Sequence, residues 1–217
     1  MKYEWKKHEK NLYTNLTKPA IVTVPDQNYI MISGTGNPNG EDFAARVGVL
    51  MSLAYSIKMR HKAACDRDSD YASQFACGDY AVYPLEGVWT STAAPADGAP
   101  LDKESFVYTI MVRQPDFATI EMYEAACADV ERKKPNPLLE EVQFGSMEDG
   151  VCIQMLHVGP FDDEPGSFAL MNDYAKEAGY ERKDHVHREI YLSDARKTTP
   201  DKYRTILRYR VMAGEPK

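Results

Sequence analysis

Glu189 is the residue in this sequence that is best suited to bind a ligand or to catalyse a reaction. It is predicted to lie in a strand among aromatic and titratable neighbours. One face of the segment 185–192 carries His185, His187, Glu189 and Tyr191, because side chains alternate along a strand. A carboxylate among aromatic rings attracts a cation, and the ring faces add cation–π attraction. Desolvation can also raise the pKa of such a carboxyl group and make it a proton acceptor. We therefore predict that Glu189 and Tyr191 are the catalytic or anchoring pair.

A second aromatic segment supplies the other wall of this predicted site. When Val88-Trp89 is aligned with Ile190-Tyr191, Gly87 takes the position of Glu189, so only one half of the site carries a carboxylate. Aromatic walls with few charged groups suit a flat or hydrophobic ligand. The predicted ligand-binding residues are Trp89, Tyr83, Leu85, Gly87, Tyr108, His157, Phe161 and His187.

Less specific interpretations of the same residues stay open at this stage. Glu189 could be a solvated edge residue, or it could pair with Arg208 or Arg210 on the neighbouring predicted strand. His157 precedes a Val-Gly-Pro-Phe turn, where it would either line the pocket rim or hydrogen-bond to the turn.

Metal and cofactor motifs are weak in this sequence. The His185-x-His187 pair has no third ligand at a fixed spacing, so we predict no metal site. The glycines of GTGNPNG, residues 34–40, lack dinucleotide-binding spacing, and no parallel βαβ pattern follows them. Cys152 lies within an apolar strand and is predicted to be part of the core. We therefore expect no cofactor.

The elements that must position these residues are predicted from hydrophobic periodicity and from turn residues. An apolar stripe from Phe43 to Ile57 predicts a helix, and the polar stretch 60–79 predicts a long loop. A second helix over 115–134 is predicted to begin with Asp116 as its N-cap and to bury a side that includes Phe117 and Ile120. The remaining predictions are strands at 20–24, 29–33, 80–91, 104–113, 151–157, 185–192 and 204–212, a turn at 92–100, and a helix at 166–178.

The order of these elements repeats once, which predicts a duplicated scaffold. Each half reads strand, helix, strand, strand, and the short turns between strands favour an antiparallel α+β fold. We expect residues 1–18 to form an N-terminal leader and residues 19–212 to form one domain. Its two repeats are predicted at approximately 19–113 and 142–212, joined by the helix at 115–134.

Composition excludes several classes of function. The net charge of −7 argues against direct binding of nucleic acid but is compatible with a cationic ligand. No apolar run is long enough to span a membrane, and no secretory signal is visible at the N-terminus. The four cysteines, Cys65, Cys77, Cys127 and Cys152, have no paired spacing. We therefore expect reduced thiols and a cytoplasmic protein, with its oligomeric state undetermined.

Five segments in the right order resemble a known family across nearly the whole chain, from about residue 19 to 212. They read IVTVPDQNYIMISGTGNPNGEDF, YPLEGVW, LHVGPFDDEPGSF, KEAGY and HREIYLSD. They are similar to the GyrI-like small-molecule-binding domains, particularly to stand-alone bacterial members. The resemblance implies two tandem βαββ (SHS2-type) modules that form a curved antiparallel sheet with helices and a central ligand cleft.

The resemblance also implies a function for Glu189. In related drug-sensing domains, a strand glutamate at the base of an aromatic pocket contacts lipophilic cations, and Glu189 matches that position. Some stand-alone members resemble hydrolases that open the cyclopropane ring of DNA-alkylating natural products of the yatakemycin type. This sequence departs from the pattern in its longer segment 60–79, which could cover the cleft, and at Thr90, where relatives often have a second aromatic residue.

We therefore predict a protein that binds hydrophobic, planar or cationic small molecules and that could act as a detoxifying hydrolase with Glu189 as the base. The alternative is a protein-interaction module, such as a gyrase-inhibitor-like protein or a partner of a transcription regulator. The dispersed acidic residues weaken an interpretation based on DNA mimicry.

Overall fold

A nine-stranded antiparallel sheet organises the part of the chain that the computed structural model describes, which is residues 2–75, 78–93 and 102–214. The strands are β1 Ala20–Val24, β2 Gln27–Thr35, β3 Leu85–Ser91, β4 Phe106–Arg113, β5 Gln143–Met147, β6 Gly150–Val158, β7 Tyr180–Arg182, β8 His187–Tyr191 and β9 Arg204–Ala213. The helices are α1 Trp5–His8, α2 Glu41–Arg67, α3 Ser69–Gln74, α4 Ile120–Lys133 and α5 Glu164–Glu177.

The order of the strands is nearly symmetric about its centre. It runs β1-β6-β9-β8-β3-β4-β2-β5, with β7 added beside β9. The central pair, β3 and β8, joins the first half of the chain to the second. Each half also gives a strand to the other, because β1 pairs with β6 and β5 pairs with β2. This arrangement confirms the predicted α+β class and supports the division into two repeats, which stays a prediction.

Helices α2 and α5 cover one face of the sheet. Ile32 and Ile110 are cross-strand partners and are fully buried in the same cluster as Leu50 and Leu53 of α2. In the second half, Met171 of α5 is buried in a cluster with strand residues that include Leu207. Burying an aliphatic side chain of this size stabilises a fold by roughly 1.5–3 kcal/mol. These contacts anchor the two helices on either side of the β3–β8 pair.

Buried ion pairs distinguish the opposite face of the sheet. The guanidinium of Arg188 donates to Glu86 at 2.8 Å and to Asp149 at 2.9 Å, and all three side chains are buried or nearly so. Nearby, Arg113 pairs with Glu9 of the N-terminal segment. The N-terminal residues therefore pack on this face through charge as well as through apolar contacts.

The structure corrects the predicted loop at 60–79. Helix α2 continues to Arg67, and α3 follows directly because the carboxylate of Asp68 accepts hydrogen bonds from the backbone N–H groups of Asp70 and Tyr71. The apolar stripe weakens after Ile57, whereas alanines with high helix propensity carry the helix onward. The Tyr71 ring lies against His61 of α2, and its hydroxyl contacts Met122 of α4, so this segment packs on those two helices.

Other boundaries also differ from the prediction. Helix α4 begins at Ile120 and is capped by Thr119, whose hydroxyl accepts a hydrogen bond from the Met122 N–H group, so the cap is not Asp116. Ile120 is 43% exposed and does not belong to the buried side of the helix. Strand β3 begins at Leu85 instead of residue 80, and the short strands β5 and β7 were not predicted.

The cysteine prediction is wrong at Cys65, which is disulfide-bonded. Cys127 and Cys152 are free thiols, and Cys152 is buried as predicted. Cys77 and most of the turn predicted at 92–100 lie outside the described residues. No helix in the described ranges combines the length and the apolar character needed to cross a membrane.

Candidate functional site

The candidate site lies at the centre of the sheet, on the face that carries α2 and α5. Gly87 of β3 is the direct cross-strand partner of Glu189 of β8, and Trp89 is the partner of His187. The lone carboxylate therefore lies directly opposite the glycine that takes its position in the other half. Cross-strand partners project from the same face of a sheet, so Trp89, His187 and Glu189 share one surface.

Gly87 makes room for the indole of Trp89. A Cβ atom at position 87 would overlap Nε1 of the indole and would lie 3.2 Å from the Tyr191 hydroxyl oxygen. The indole N–H donates a hydrogen bond of 2.9 Å to that hydroxyl. The absence of a side chain at Gly87 thus lets one aromatic residue from each half of the chain meet directly above the sheet.

Three further aromatic rings surround Trp89. The centroid of its ring lies 5.1 Å from that of Tyr108, 5.7 Å from that of Phe106 and 5.8 Å from that of Phe43 in α2. Tyr108 itself packs over Gly34, where an added Cβ would come within 2.6 Å of its ring. The tilted and edge-to-face geometries are those that aromatic pairs prefer. Together they form an aromatic cluster on the first-half side of Glu189.

The second-half side of the site is acidic. Nε2 of His187 lies 3.0 Å from Oε1 of Glu189. Glu164, the first residue of α5, adds a second carboxyl group. Glu164, His187 and Glu189 each offer one possible ligand atom, a carboxylate oxygen or an imidazole nitrogen. These three atoms lie within 4.8 Å of one another. Burial, followed by the negative charge of Glu189, raises the pKa of Glu164 well above its usual value.

Tyr191 links the aromatic and acidic parts of the site. Its pKa is raised well above the usual value, first by burial and then by the charge of the neighbouring Glu189 carboxylate. The hydroxyl therefore keeps its proton, and a hydrogen bond to Glu189 contributes to the same shift. The ring of Phe161, which is 37% exposed, meets the Tyr191 ring edge-on at 6.0 Å. Phe161 is thus placed as an outer cover over Tyr191.

Most of the predicted binding residues surround this centre, but Tyr83 does not. Pro84 precedes β3 and interrupts the strand alternation on which the prediction relied. The Tyr83 ring instead contacts Trp5, and its hydroxyl donates to Glu9. Leu85 lies at the start of β3, two residues before Gly87, and is partly buried in the core of the first half.

The two histidine predictions are also resolved by geometry. His157 is buried, with Nδ1 at 2.9 Å from the Ser167 hydroxyl and Nε2 at 3.0 Å from the Pro160 carbonyl oxygen. His157 therefore stabilises the turn before α5 by hydrogen bonding, which is one of the two roles considered for it, the other being to line the pocket rim. His185 lies outside β8 and is exposed, so the predicted face shared by His185 and His187 does not exist.

Neither arginine considered as a partner of Glu189 reaches it. Arg208 donates to Gln154 and to the Leu12 carbonyl oxygen, and Arg210 pairs with Asp184. Glu189 is 9% exposed and has His187 as its ionisable partner. Glu189 is therefore neither a solvated edge residue nor the partner of one of these two arginines.

Glu164 was not identified from the sequence. It follows Asp162 and Asp163 at the start of a helix, where acidic residues are common because they interact favourably with the helix dipole. Only the three-dimensional structure shows that Glu164 points at Glu189.

Two recesses open on the surface near the helices. One of about 390 Å³ is bordered by Phe43 and Tyr108 of the aromatic cluster and by the acidic side chains of Glu41, Asp42 and Glu104. A larger recess of about 830 Å³ lies between α2 and α4 and is lined partly by Arg60 and Asp129, which pair with each other. Only the smaller one adjoins the residues that surround Trp89.

The contact between Gly87 and Trp89 gives a direct prediction. A Gly87→Ala substitution is expected to displace the indole and to break its hydrogen bond to Tyr191, because the new methyl group would occupy its space. Overpacking of this kind costs about 1–3 kcal/mol. Urea unfolding followed by circular dichroism measures this loss.

Gly48 offers a matched control in α2, since nothing lies within 4 Å of the Cβ that it would gain. A Gly48→Ala substitution is expected to stabilise the protein by about 0.5–1 kcal/mol, because alanine favours a helix over glycine. Equal effects of the two substitutions on stability would contradict the proposed packing at Gly87.

Comparison with known proteins agrees with this architecture. Residues 17–211 match the model of the GyrI-like small molecule binding domain. A crystal structure of an uncharacterized conserved protein from Listeria innocua shares 36% identity, with a TM-score of 0.84 over 97% of this chain and 100% of that chain. Two crystal structures described as hydrolases from Listeria innocua each share 34% identity. Their TM-scores are 0.81 and 0.82, over 97% and 98% of this chain and 100% of theirs. No curated protein sequence gives a significant match.

Proposed function

Because the chain belongs to the GyrI-like small-molecule-binding domain family, we propose that it binds hydrophobic, planar or cationic molecules beside Trp89 and Tyr191, with Glu189 as the polar anchor. The observation that carries this proposal is the meeting of these three side chains above Gly87 at the junction of the two halves. A flat apolar molecule gains contact with the rings, and a positive charge on it is attracted to the carboxylate.

The acidic surroundings favour a cation over a neutral or anionic ligand. Glu189 lies inside the site, and Glu41 and Glu104 border the neighbouring recess. A cation entering from that side would meet negative charge before it reaches the aromatic cluster. Because Trp89 is buried, a ligand must displace neighbouring rings such as those of Phe43 and Phe106 to reach it.

Within this proposal the ligand is also a substrate when it carries a strained cyclopropane ring conjugated to a carbonyl group. Glu189 would accept a proton from water while the water oxygen forms a bond to a ring carbon. The broken carbon–carbon bond would send its electron pair to the carbonyl oxygen, which then takes up a proton and becomes a hydroxyl group. The reaction adds one water. Similarity to structures described as hydrolases supports this finer proposal.

The two tryptophans of the chain allow a specific binding test. Titration with tetraphenylphosphonium, a lipophilic cation, is expected to change tryptophan fluorescence, because Trp89 lies at the site. A Trp5→Phe variant should keep this response, since Trp5 lies against Tyr13 and Tyr83, away from Glu189.

A Trp89→Phe variant serves as the counterpart and should lose most of the response while Trp5 still fluoresces. If the signal instead disappears in Trp5→Phe and persists in Trp89→Phe, the ligand binds elsewhere and the proposed site is wrong. Mass spectrometry of a cyclopropane-containing substrate incubated with the protein tests the hydrolytic step separately, through a gain of one water.

A further inference from the structure

The acidic side of the site has a feature that binding of an organic molecule does not explain. Glu164 is only 7% exposed, yet its Oε1 atom has no hydrogen-bond partner among the described residues. Burying a carboxyl oxygen without a partner costs free energy, because nothing replaces the hydrogen bonds that it makes to water in the unfolded chain. Such an atom is uncommon in a native fold and indicates a missing partner.

The neighbours of Glu164 identify the chemistry of that partner. Two carboxyl groups and one imidazole converge here, with candidate ligand atoms within 4.8 Å of one another. Around a tetrahedral ion with bonds of about 2.1 Å, ligand atoms lie roughly 3.4 Å apart. The 3.0 Å separation of His187 Nε2 from Glu189 Oε1 is slightly below that value, and a ligand atom of Glu164 lies within 4.8 Å of those of both residues. Small side-chain rotations would therefore form a site.

We propose that Glu164, His187 and Glu189 bind a divalent transition-metal ion such as Zn²⁺. One imidazole nitrogen and two carboxylate oxygens are ligand types that zinc accepts, and three protein ligands leave a fourth position open. The ion would give the Glu164 carboxyl group a partner in a largely buried place.

The fold holds each of the three side chains in place. His187 and Glu189 are two residues apart on β8, so they project from the same face, and β8 is held between β3 and β9. Glu164 comes from the first turn of α5, whose position is fixed by the buried contacts of Met171. The Phe168 ring lies edge-on to the His187 ring at 5.0 Å and restricts its orientation.

The test is titration of the metal-free full-length protein with Zn²⁺ alone, followed by calorimetry and by equilibrium dialysis. We expect one ion per chain in the wild type. Glu164→Gln and His187→Ala should each weaken binding at least about tenfold, because removal of even an outer partner of a metal ligand costs roughly 10–100-fold. Two variants at different positions are used so that a folding defect in one does not decide the result.

His185→Ala is the matched control, because His185 is an exposed histidine two residues from His187 and outside β8. It should bind Zn²⁺ as the wild type does. The proposal is overturned if the wild type binds no stoichiometric Zn²⁺, or if Glu164→Gln and His187→Ala bind it as tightly as His185→Ala. Since no organic ligand is present, this result is independent of the tetraphenylphosphonium experiment.

Discussion

A Glu189→Gln variant is expected to bind tetraphenylphosphonium at least about tenfold more weakly than the wild type. Glutamine keeps the size of the side chain and removes its charge. Two unit charges 5 Å apart interact by roughly 3 kcal/mol at an effective dielectric constant near 20, and desolvation offsets part of this. A remaining loss of about 1.4 kcal/mol corresponds to a factor of ten in affinity. Calorimetric titration of the two proteins measures it.

Two controls separate the local charge from general effects. Triphenylphosphine oxide has similar aromatic groups without a positive charge, so its affinity should change little in Glu189→Gln. A Glu181→Gln variant removes one negative charge from an exposed position on β7 and should bind both compounds normally. If Glu189→Gln and Glu181→Gln bind tetraphenylphosphonium equally well, then Glu189 is not the anchor.

An Arg188→Met variant is expected to lower the free energy of unfolding by about 3–5 kcal/mol. The Arg188 side chain is buried and hydrogen-bonds to Glu86, Asp149 and the Tyr29 hydroxyl. Methionine fills much of the space but leaves two carboxylates without their cation. Urea unfolding at neutral pH, followed by circular dichroism, gives the change in stability.

The matched control for Arg188 is an exposed arginine in an ion pair. Arg196 bonds to Asp194 with both side chains at the surface or only partly buried, and such pairs contribute about 0–1 kcal/mol. Arg196→Met should therefore have little effect. In a double variant, Arg188→Met with Glu86→Leu, part of the lost stability should return, because one unpaired carboxylate is removed. Similar losses for Arg188→Met and Arg196→Met would refute the role assigned to the buried ion pairs.

Strand alternation is a short-range rule, and it was sufficient to place Glu189 and Tyr191 on one face of their strand and Gly87 and Trp89 on the matching face of the next. It matched Gly87 to the position of Glu189 in the other half, and the structure places these two residues directly opposite each other on neighbouring strands. The same rule failed for Tyr83, since Pro84 ends the alternation, and for His185, which precedes the first residue of β8. Alternation holds only within a strand, and the ends of strands are the least predictable part of a sequence.

Glu164 could not be predicted because its position depends on how α5 packs across the sheet. An acidic residue in the first turn of a helix is already explained by its favourable interaction with the helix dipole. Nothing in the sequence therefore indicated that Glu164 also belongs to the candidate site. The extension of α2 to Arg67 was missed for a related reason: its last two turns are held by helix propensity and by the cap at Asp68 more than by a regular apolar stripe.

The exchange of β1 and β5 between the halves has a consequence for how the chain folds during synthesis. Among the strands of the described residues, β1 pairs with β6 alone, so Ala20 gains a partner in the sheet only after Gln154 has emerged. β2 likewise waits for β5 along one of its edges. Pairings between distant residues form slowly because a long loop must close first. The first half, although it is made first, thus completes its hydrogen bonding only when the second half arrives.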